Sequence, residues 1–184
     1  MSDIRCFSAS VPEAAEKFVS TCEKARISYV LHENPCAGPE GERLNCVEAR
    51  VGPKPEAAES VIFIISGTHG IEAYAGMAIQ TEIVRSIGQH DIPKDTALVF
   101  IHNMNPWGAA WNRRENENNV DLFRNLVYRH PPFYENPSYG IVEEGINPRH
   151  WEGPERERAD RILEDFVAEH GSEALMSIIR CGQH

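Results

Sequence analysis

The chain has 184 residues, of which 41% are hydrophobic and 25% charged, the proportions of an ordinary globular protein able to bury a core within one domain. Its net charge of −10, from 28 acidic against 18 basic residues, repels phosphate backbones and sets nucleic acid aside as a main partner. No apolar run reaches the roughly 20 residues of a membrane-spanning helix, and Met1 to Ser10 contains no apolar signal core. A cytoplasmic protein without a membrane partner is expected. Cys6, Cys22, Cys36, Cys46 and Cys181 are odd in number and lack metal-knuckle or redox spacing, so they are expected as reduced thiols.

Ser10-Val-Pro-Glu13 reads as a helix start, with Ser10 as cap, Glu13 reaching back and Pro12 in the first turn. Ala15, Phe18, Val19 and Cys22 recur at helical spacing to about Ala25. Ile27 to Leu31 is a short strand, Pro35 to Gly41 a turn, and Leu44 to Val51 an alternating, half-buried strand. Val61-Ile62-Phe63-Ile64-Ile65 has no polar face, which predicts a central strand covered by helices on both sides. A helix follows from Glu72 to about Ile87, with Gly76, Ile79, Ile83, Val84 and Ile87 on one stripe. Ala97 to Ile101 is the next buried strand, so strand, helix and strand form a βαβ unit with parallel strands and a right-handed crossover. Asn105 to Asn119 reads as a long polar loop and Pro131 to Pro154 as irregular. Pro154 opens a last long helix that Gly171 ends, and Ala174 to Ile179 is a short helix or strand.

His69-Gly-Ile-Glu72 is the motif with chemical content. A histidine leaving a buried strand, three residues before a glutamate at a helix start, brings together two side chains that suit zinc. The same spacing also fits a strand-end histidine beside a solvated first-turn glutamate favoured by the helix dipole. Both His69 and the segment from His102 leave the carboxyl edge of the expected sheet, where open α/β sheets place their ligands.

Four segments in order extend this motif: Ser66-Gly-Thr-His69-Gly-Ile-Glu72, Asn105-Pro106-Trp107-Gly108, Arg113-Arg114, and Asn119-Val-Asp121-Leu-Phe123-Arg124-Asn125. Together they resemble the zinc carboxypeptidase superfamily, which includes metallocarboxypeptidases and the succinylglutamate desuccinylase–aspartoacylase type. They are most similar to a bacterial carboxypeptidase-like branch, whose pattern Gly38 to Leu44 also matches. The resemblance runs from about residue 7 to 127.

The resemblance implies an α/β fold, a three-layer sandwich with a largely parallel or mixed sheet flanked by helices. It is met here as an incomplete zinc-carboxypeptidase-like fold in a single, truncated domain over residues 1–184. It implies Zn2+ as cofactor with His69 and Glu72 as its ligands. Arg114 is the expected catalytic group, polarising the scissile carbonyl, with Arg113, Arg124 and Asn125 binding substrate. Guanidinium forks suit both tasks, since they bind carboxylates in bidentate fashion and stabilise an oxyanion. The implied substrate is a peptide or N-acyl amino acid with a free carboxylate, cleaved at a C-terminal peptide bond or an acyl amide.

Two departures qualify this. Phe123 stands where the family has the asparagine of an Asn-Arg pair, and nothing after residue 127 matches the family's third zinc ligand or its general base. His102, at the end of the neighbouring strand, is the local histidine best placed to substitute, but a strand-end histidine is more often a packed or hydrogen-bonded residue. The alternative to a hydrolase is therefore a catalytically inactive remnant or interaction module. A sheet this narrow also leaves an unpaired edge, through which self-association is expected.

Overall fold

The computed structural model describes residues 4–89, 91–125, 136–148, 150 and 152–181. They form two compact units, one up to Glu117 and one from Asn118, and each is described by itself.

In the first unit α1 spans Val11–Ala25. Ser10 Oγ accepts from the Glu13 amide at 3.3 Å, and Glu13 Oε2 accepts from the Ala9 amide at 2.8 Å, the reciprocal capping read from the sequence. The helix ends where Arg26 turns left-handed, its amide donating to the Cys22 and Glu23 carbonyls. Four strands follow: β1 Ser28–Glu33, β2 Asn45–Val51, β3 Ser60–Ile65 and β4 Thr96–His102. Between β3 and β4 lies α2, Ala73–Ser86, entered through a single 3-10 turn, Gly70–Glu72. The sheet order is β1-β2-β4-β3. The β3/β4 pair is parallel, as the βαβ reading requires, and the other two pairs are antiparallel. The expected mixed sheet flanked by helices is therefore present, as an open sheet of four strands.

Register assigns the faces. Val47 lies opposite His102, Ala49 opposite Phe100, and Ile62 and Ile64 opposite Leu98 and Phe100. Phe18 and Cys22 of α1 and Val84 of α2 pack against Val47, Ala49 and Phe100 in one buried cluster. Burying each such large side chain stabilises the fold by about 1.5–3 kcal/mol. A second cluster joins Val11, Ala14 and Leu44 to Ala73, Met77 and Ala109.

One expectation is corrected. Among the described residues β3 is the edge of the sheet and not its centre. Val61, Ile62, Phe63 and Ile65 are 37%, 50%, 60% and 48% exposed. A strand without a polar face reads the same whether or not a neighbour exists to cover it.

The expected loop after Asn105 holds a short helix, α3, Pro106–Ala110. Asn105 caps it, its Oδ1 accepting from the Gly108 amide at 2.8 Å, with Pro106 in the first turn. Asn105→Ala removes that cap and should lower the urea midpoint at unchanged slope, by an amount equal to about 1 kcal/mol.

The second unit contains α4, Tyr139–Ile146, α5, Pro154–His170, and α6, Ser172–Arg180. α4 lies in the stretch expected to be irregular, of which residues 131–135, 149 and 151 fall outside the described residues. α5 begins at Pro154 and stops at Gly171 as expected, and the last apolar run is resolved as helix. Among the described residues the five cysteines form no disulfide. Among the described residues no helix is long and apolar enough to cross a membrane.

Candidate functional site

The site begins where β3 ends. Ser66, Gly67 and His69 leave the carboxyl edge of β3, while His102, Asn103 and Asn105 leave that of β4. Backbone bonds hold the two exits together: the Met104 amide donates to the Ser66 carbonyl at 2.8 Å and the Asn105 amide to the Gly67 carbonyl at 2.9 Å. Gly67 has φ +66°, and a Cβ there would come within 2.4 Å of Asn103 Oδ1. The close passage of these two segments therefore requires glycine.

Gly70 sets the next junction. A Cβ on it would lie 2.0 Å from the Gly108 carbonyl carbon and 2.2 Å from the Ala109 nitrogen, so the 3-10 turn sits directly on the backbone of α3. The Gly70 amide donates to the Arg114 carbonyl at 3.3 Å and the Ile71 amide to the Arg113 carbonyl at 3.0 Å. Asn105 Nδ2 also donates to the Arg114 carbonyl, at 3.4 Å. Backbone bonds, with the Asn105 side chain, thereby fasten the arginine pair beside the His69–Glu72 turn.

His69 Nδ1 lies 3.5 Å from Glu72 Oε1, and Arg114 Nη1 lies 3.6 Å from the same oxygen. The His69 side chain is mostly buried and that of Glu72 exposed, at 16% and 64% of their full accessibility. An imidazole nitrogen and a carboxylate oxygen on one tetrahedral zinc, at bond lengths near 2.1 Å, stand about 3.4 Å apart. The observed separation is near that chord, and it is equally that of an ion pair. Among the described residues no group of three His, Cys, Asp or Glu side chains is placed to hold a metal ion. His69, Glu72, Arg113 and Arg114 are thus brought together, and a third ligand is not.

His102 does not supply it. The ring is 1% exposed, stacked on Phe18 with centroids 4.1 Å apart, and its Nδ1 lies 3.1 Å from Gln80 Oε1. Burial pushes its pKa down to about 4, the behaviour of a neutral core imidazole. Gln80 organises the layer beneath the site. Its Nε2 donates to the Ile64 carbonyl at 2.7 Å and the Ile101 carbonyl at 3.2 Å, tying β3 to β4. Its Oε1 accepts from Ser66 Oγ at 3.1 Å, and that hydroxyl accepts from the Asn103 amide at 3.1 Å. Asn103 is left-handed at φ 66° and 1% exposed, and its side-chain amide has no hydrogen-bond partner among the described residues. Sequence reasoning missed this support, although a lone glutamine on the buried side of a helix signals a polar network.

Arg124 and Asn125 belong to the second unit. Asp121 is 1% exposed and turns the chain there, its Oδ1 accepting from the Phe123 and Arg124 amides at 3.0 and 3.1 Å. Arg124 places Nε 3.4 Å from Asp121 Oδ2 and donates through Nη1 to the Ile179 carbonyl at 3.0 Å. Asn125 Nδ2 donates to the Asp121 carbonyl at 2.8 Å. Both side chains thus make hydrogen bonds that hold this unit together, and Phe123 between the acid and the arginine is 68% exposed.

Comparison with known proteins agrees with the fold. Thrombin activatable fibrinolysis inhibitor matches 92% of this chain and 47% of its own length, at 16% identity and a TM-score of 0.50. A carboxypeptidase A from Helicoverpa armigera matches 88% and 42%, at 16% identity and 0.47. A glutaminyl cyclase from Fimbriiglobus ruber matches 49% and 36%, at 12% identity and 0.36. The chain spans less than half the length of each of these structures, and the first of them shows a shared fold alone. No curated protein matches in sequence. A family model does match, over residues 7–184, and the chain belongs to that family, described as a protein of unknown function, DUF2817.

Proposed function

We propose that this chain contributes the His69–Glu72 arm of a zinc-dependent hydrolase of the metallocarboxypeptidase type. The substrate class is a peptide or N-acyl amino acid with a free carboxylate, cleaved at the C-terminal peptide bond or the acyl amide. The observation that carries this reading is the 3.5 Å separation of His69 Nδ1 and Glu72 Oε1 at the carboxyl edge of β3, with the Arg114 guanidinium on the same carboxylate. Zinc, when bound, supplies Lewis-acid polarisation of a carbonyl and a lowered pKa for its bound water. The remaining ligand and the proton-transferring group come from outside the described residues on this reading. Arg114 then serves the developing oxyanion as a fixed positive charge, and Arg113 lies beside it on the same backbone clamp.

A second reading is a non-catalytic module that binds metal weakly or not at all. The absence of a third metal-ligating side chain among the described residues favours it, as does Phe123 in place of an amide. Hydrolysis of an N-acyl amino acid with zinc added distinguishes the two. The hydrolase reading expects turnover abolished by Glu72→Gln, and an Arg114→Ala variant with kcat lowered about 100-fold. No turnover by the wild-type chain under zinc saturation would support the module instead.

A further inference from the structure

We infer that the first unit carries a binding pocket for a primary ammonium group, walled by the Gly38–Glu42 loop, Tyr74, Asn112 and the approach to α1.

The cavity measures about 450 Å³, room for a long side chain, and all of its walls belong to the first unit. Gly38-Pro-Glu-Gly-Glu42 has no part in the His69–Glu72 site, yet it is a built element. The loop folds around its last residue. The Gly38 amide donates to the Glu42 carbonyl at 2.9 Å and the Gly41 amide to the Gly38 carbonyl at 3.0 Å. Glu42 Oε2 accepts from the Glu40 amide at 2.9 Å, and its carboxylate fills the space that a Cβ on Gly38 would need. Trp111 Nε1 donates to the Ala37 carbonyl at 3.1 Å and Asn34 Nδ2 to Glu117 Oε2 at 3.3 Å. The loop is therefore moored to the chain on either side of Arg113 and Arg114. Glu42 is held in place before any ligand arrives, so little side-chain freedom is left to lose on binding.

Charge decides what the pocket takes. Glu40 and Glu42 bring two negative charges to its wall, and no lysine or arginine lines it. The start of α1 opposes them with about half a positive charge, but Glu13 already answers that, its Oε2 accepting from the Ala9 amide at 2.8 Å. A cation is favoured over an anion. A bare metal ion is not, since no group of three ligating side chains stands among the described residues. Neutral groups complete the wall. Ser8 lines the cavity, and its Oγ is buried with no hydrogen-bond partner among the described residues. Burial pushes the pKa of the Tyr74 phenol up, so it stays neutral, and aromatic rings attract ammonium groups. An ammonium group brings one charge, three tetrahedral donors and no acceptor. That suits oxygens arriving from separate segments better than a flat guanidinium fork does.

The ammonium can come from a lysine side chain or from the amino terminus of a peptide, and three probes separate these. Nα-acetyl-lysine amide carries only the first, norleucine amide only the second, and Nα-acetyl-norleucine amide neither. Each is titrated into the full chain without added metal, so the result is independent of zinc. The readout is the NMR shift of the Glu40, Gly41 and Asn112 amides. One charged probe at least should saturate with a Kd of about 1 mM and bind about 10-fold tighter than the neutral probe, and the tighter of the two names the source. Glu42→Gln keeps an acceptor for the Glu40 amide but removes the charge, and should weaken binding about 10-fold. Glu40→Gln, at an exposed carboxylate, should weaken it about 3-fold. Glu56→Gln changes the net charge equally without touching the wall and should leave binding unchanged. Far-UV circular dichroism checks that each variant is folded, and if Glu42→Gln is not, Glu40→Gln decides. No saturable shift with either charged probe, equal binding of the neutral probe, or folded pocket variants that bind as the wild type does would each overturn the inference.

Discussion

Gly70→Ala is expected to cost about 3 kcal/mol of stability, near the upper end for an overpacked site, and to loosen the arginine clamp. The added methyl would meet the Gly108 carbonyl carbon and the Ala109 nitrogen at 2.0 and 2.2 Å. Both are backbone atoms of a capped helix, so no side chain can swing aside to admit it. Relief requires α3 or the 3-10 turn to move, and either movement breaks the bonds from the Gly70 and Ile71 amides to the Arg114 and Arg113 carbonyls. The change therefore reaches the site as well as the core. Urea unfolding measures the first effect, and hydrogen exchange of the Gly70 and Ile71 amides measures the second. Unchanged stability with unchanged protection would contradict the packing described here.

Acid is expected to destabilise the fold through His102. The imidazole is neutral and buried, and its pKa stands at about 4 in the folded chain against 6.5 for the ordinary group. Between those values the unfolded chain takes up a proton that the folded chain refuses. The contribution is complete above pH 6.5 and declines as pH falls, by about 2 kcal/mol at pH 5 and about 3 kcal/mol by pH 4. Carboxylates add their own acid sensitivity, so the comparison is with His102→Phe. That variant keeps the stack on Phe18, and Gln80 Oε1 keeps its bond from Ser66 Oγ. The wild type should lose about 2 kcal/mol more than the variant between pH 7 and pH 5, read from urea midpoints. Equal losses in the two proteins would show that His102 is not held neutral.

Much of the fold is legible in the residues. The Ser10–Glu13 box, the parallel β3/β4 pair and the placement of His69 at the strand's carboxyl end follow from capping chemistry and apolar runs alone. The edge position of β3 does not, because alternation reports how many faces of a strand are apolar, not how many neighbours it has. The α3 helix was open to reading: Asn105-Pro106 is a cap followed by a favoured first-turn residue, hidden among polar neighbours. α4 carries Gly140 and Gly145 within eight residues, a composition that argues against helix until packing decides. Its Gly145 lies under Leu163 of α5, where a Cβ would come within 2.8 Å.

The site divides in the same way. His69 and Glu72 are singled out by the resemblance of four ordered segments, because a histidine and a glutamate three apart also fit a strand-end histidine beside a solvated first-turn glutamate. The junction of Arg113 and Arg114 with that turn runs through backbone carbonyls, which no side-chain pattern reports. Gln80, Ser66 and Asn103 are ordinary polar residues in the sequence, and only their burial and mutual bonds mark them as the floor of the site.

The central claim, that His69 and Glu72 form two arms of a zinc site, is tested most directly by zinc titration calorimetry on the wild type, His69→Ala and Glu72→Gln. Two of four ligands should supply on the order of 5–8 kcal/mol, an affinity between micromolar and sub-millimolar, and the heat should vanish in either variant. Zinc binding that survives both substitutions, or a wild-type chain that binds none, would contradict the account.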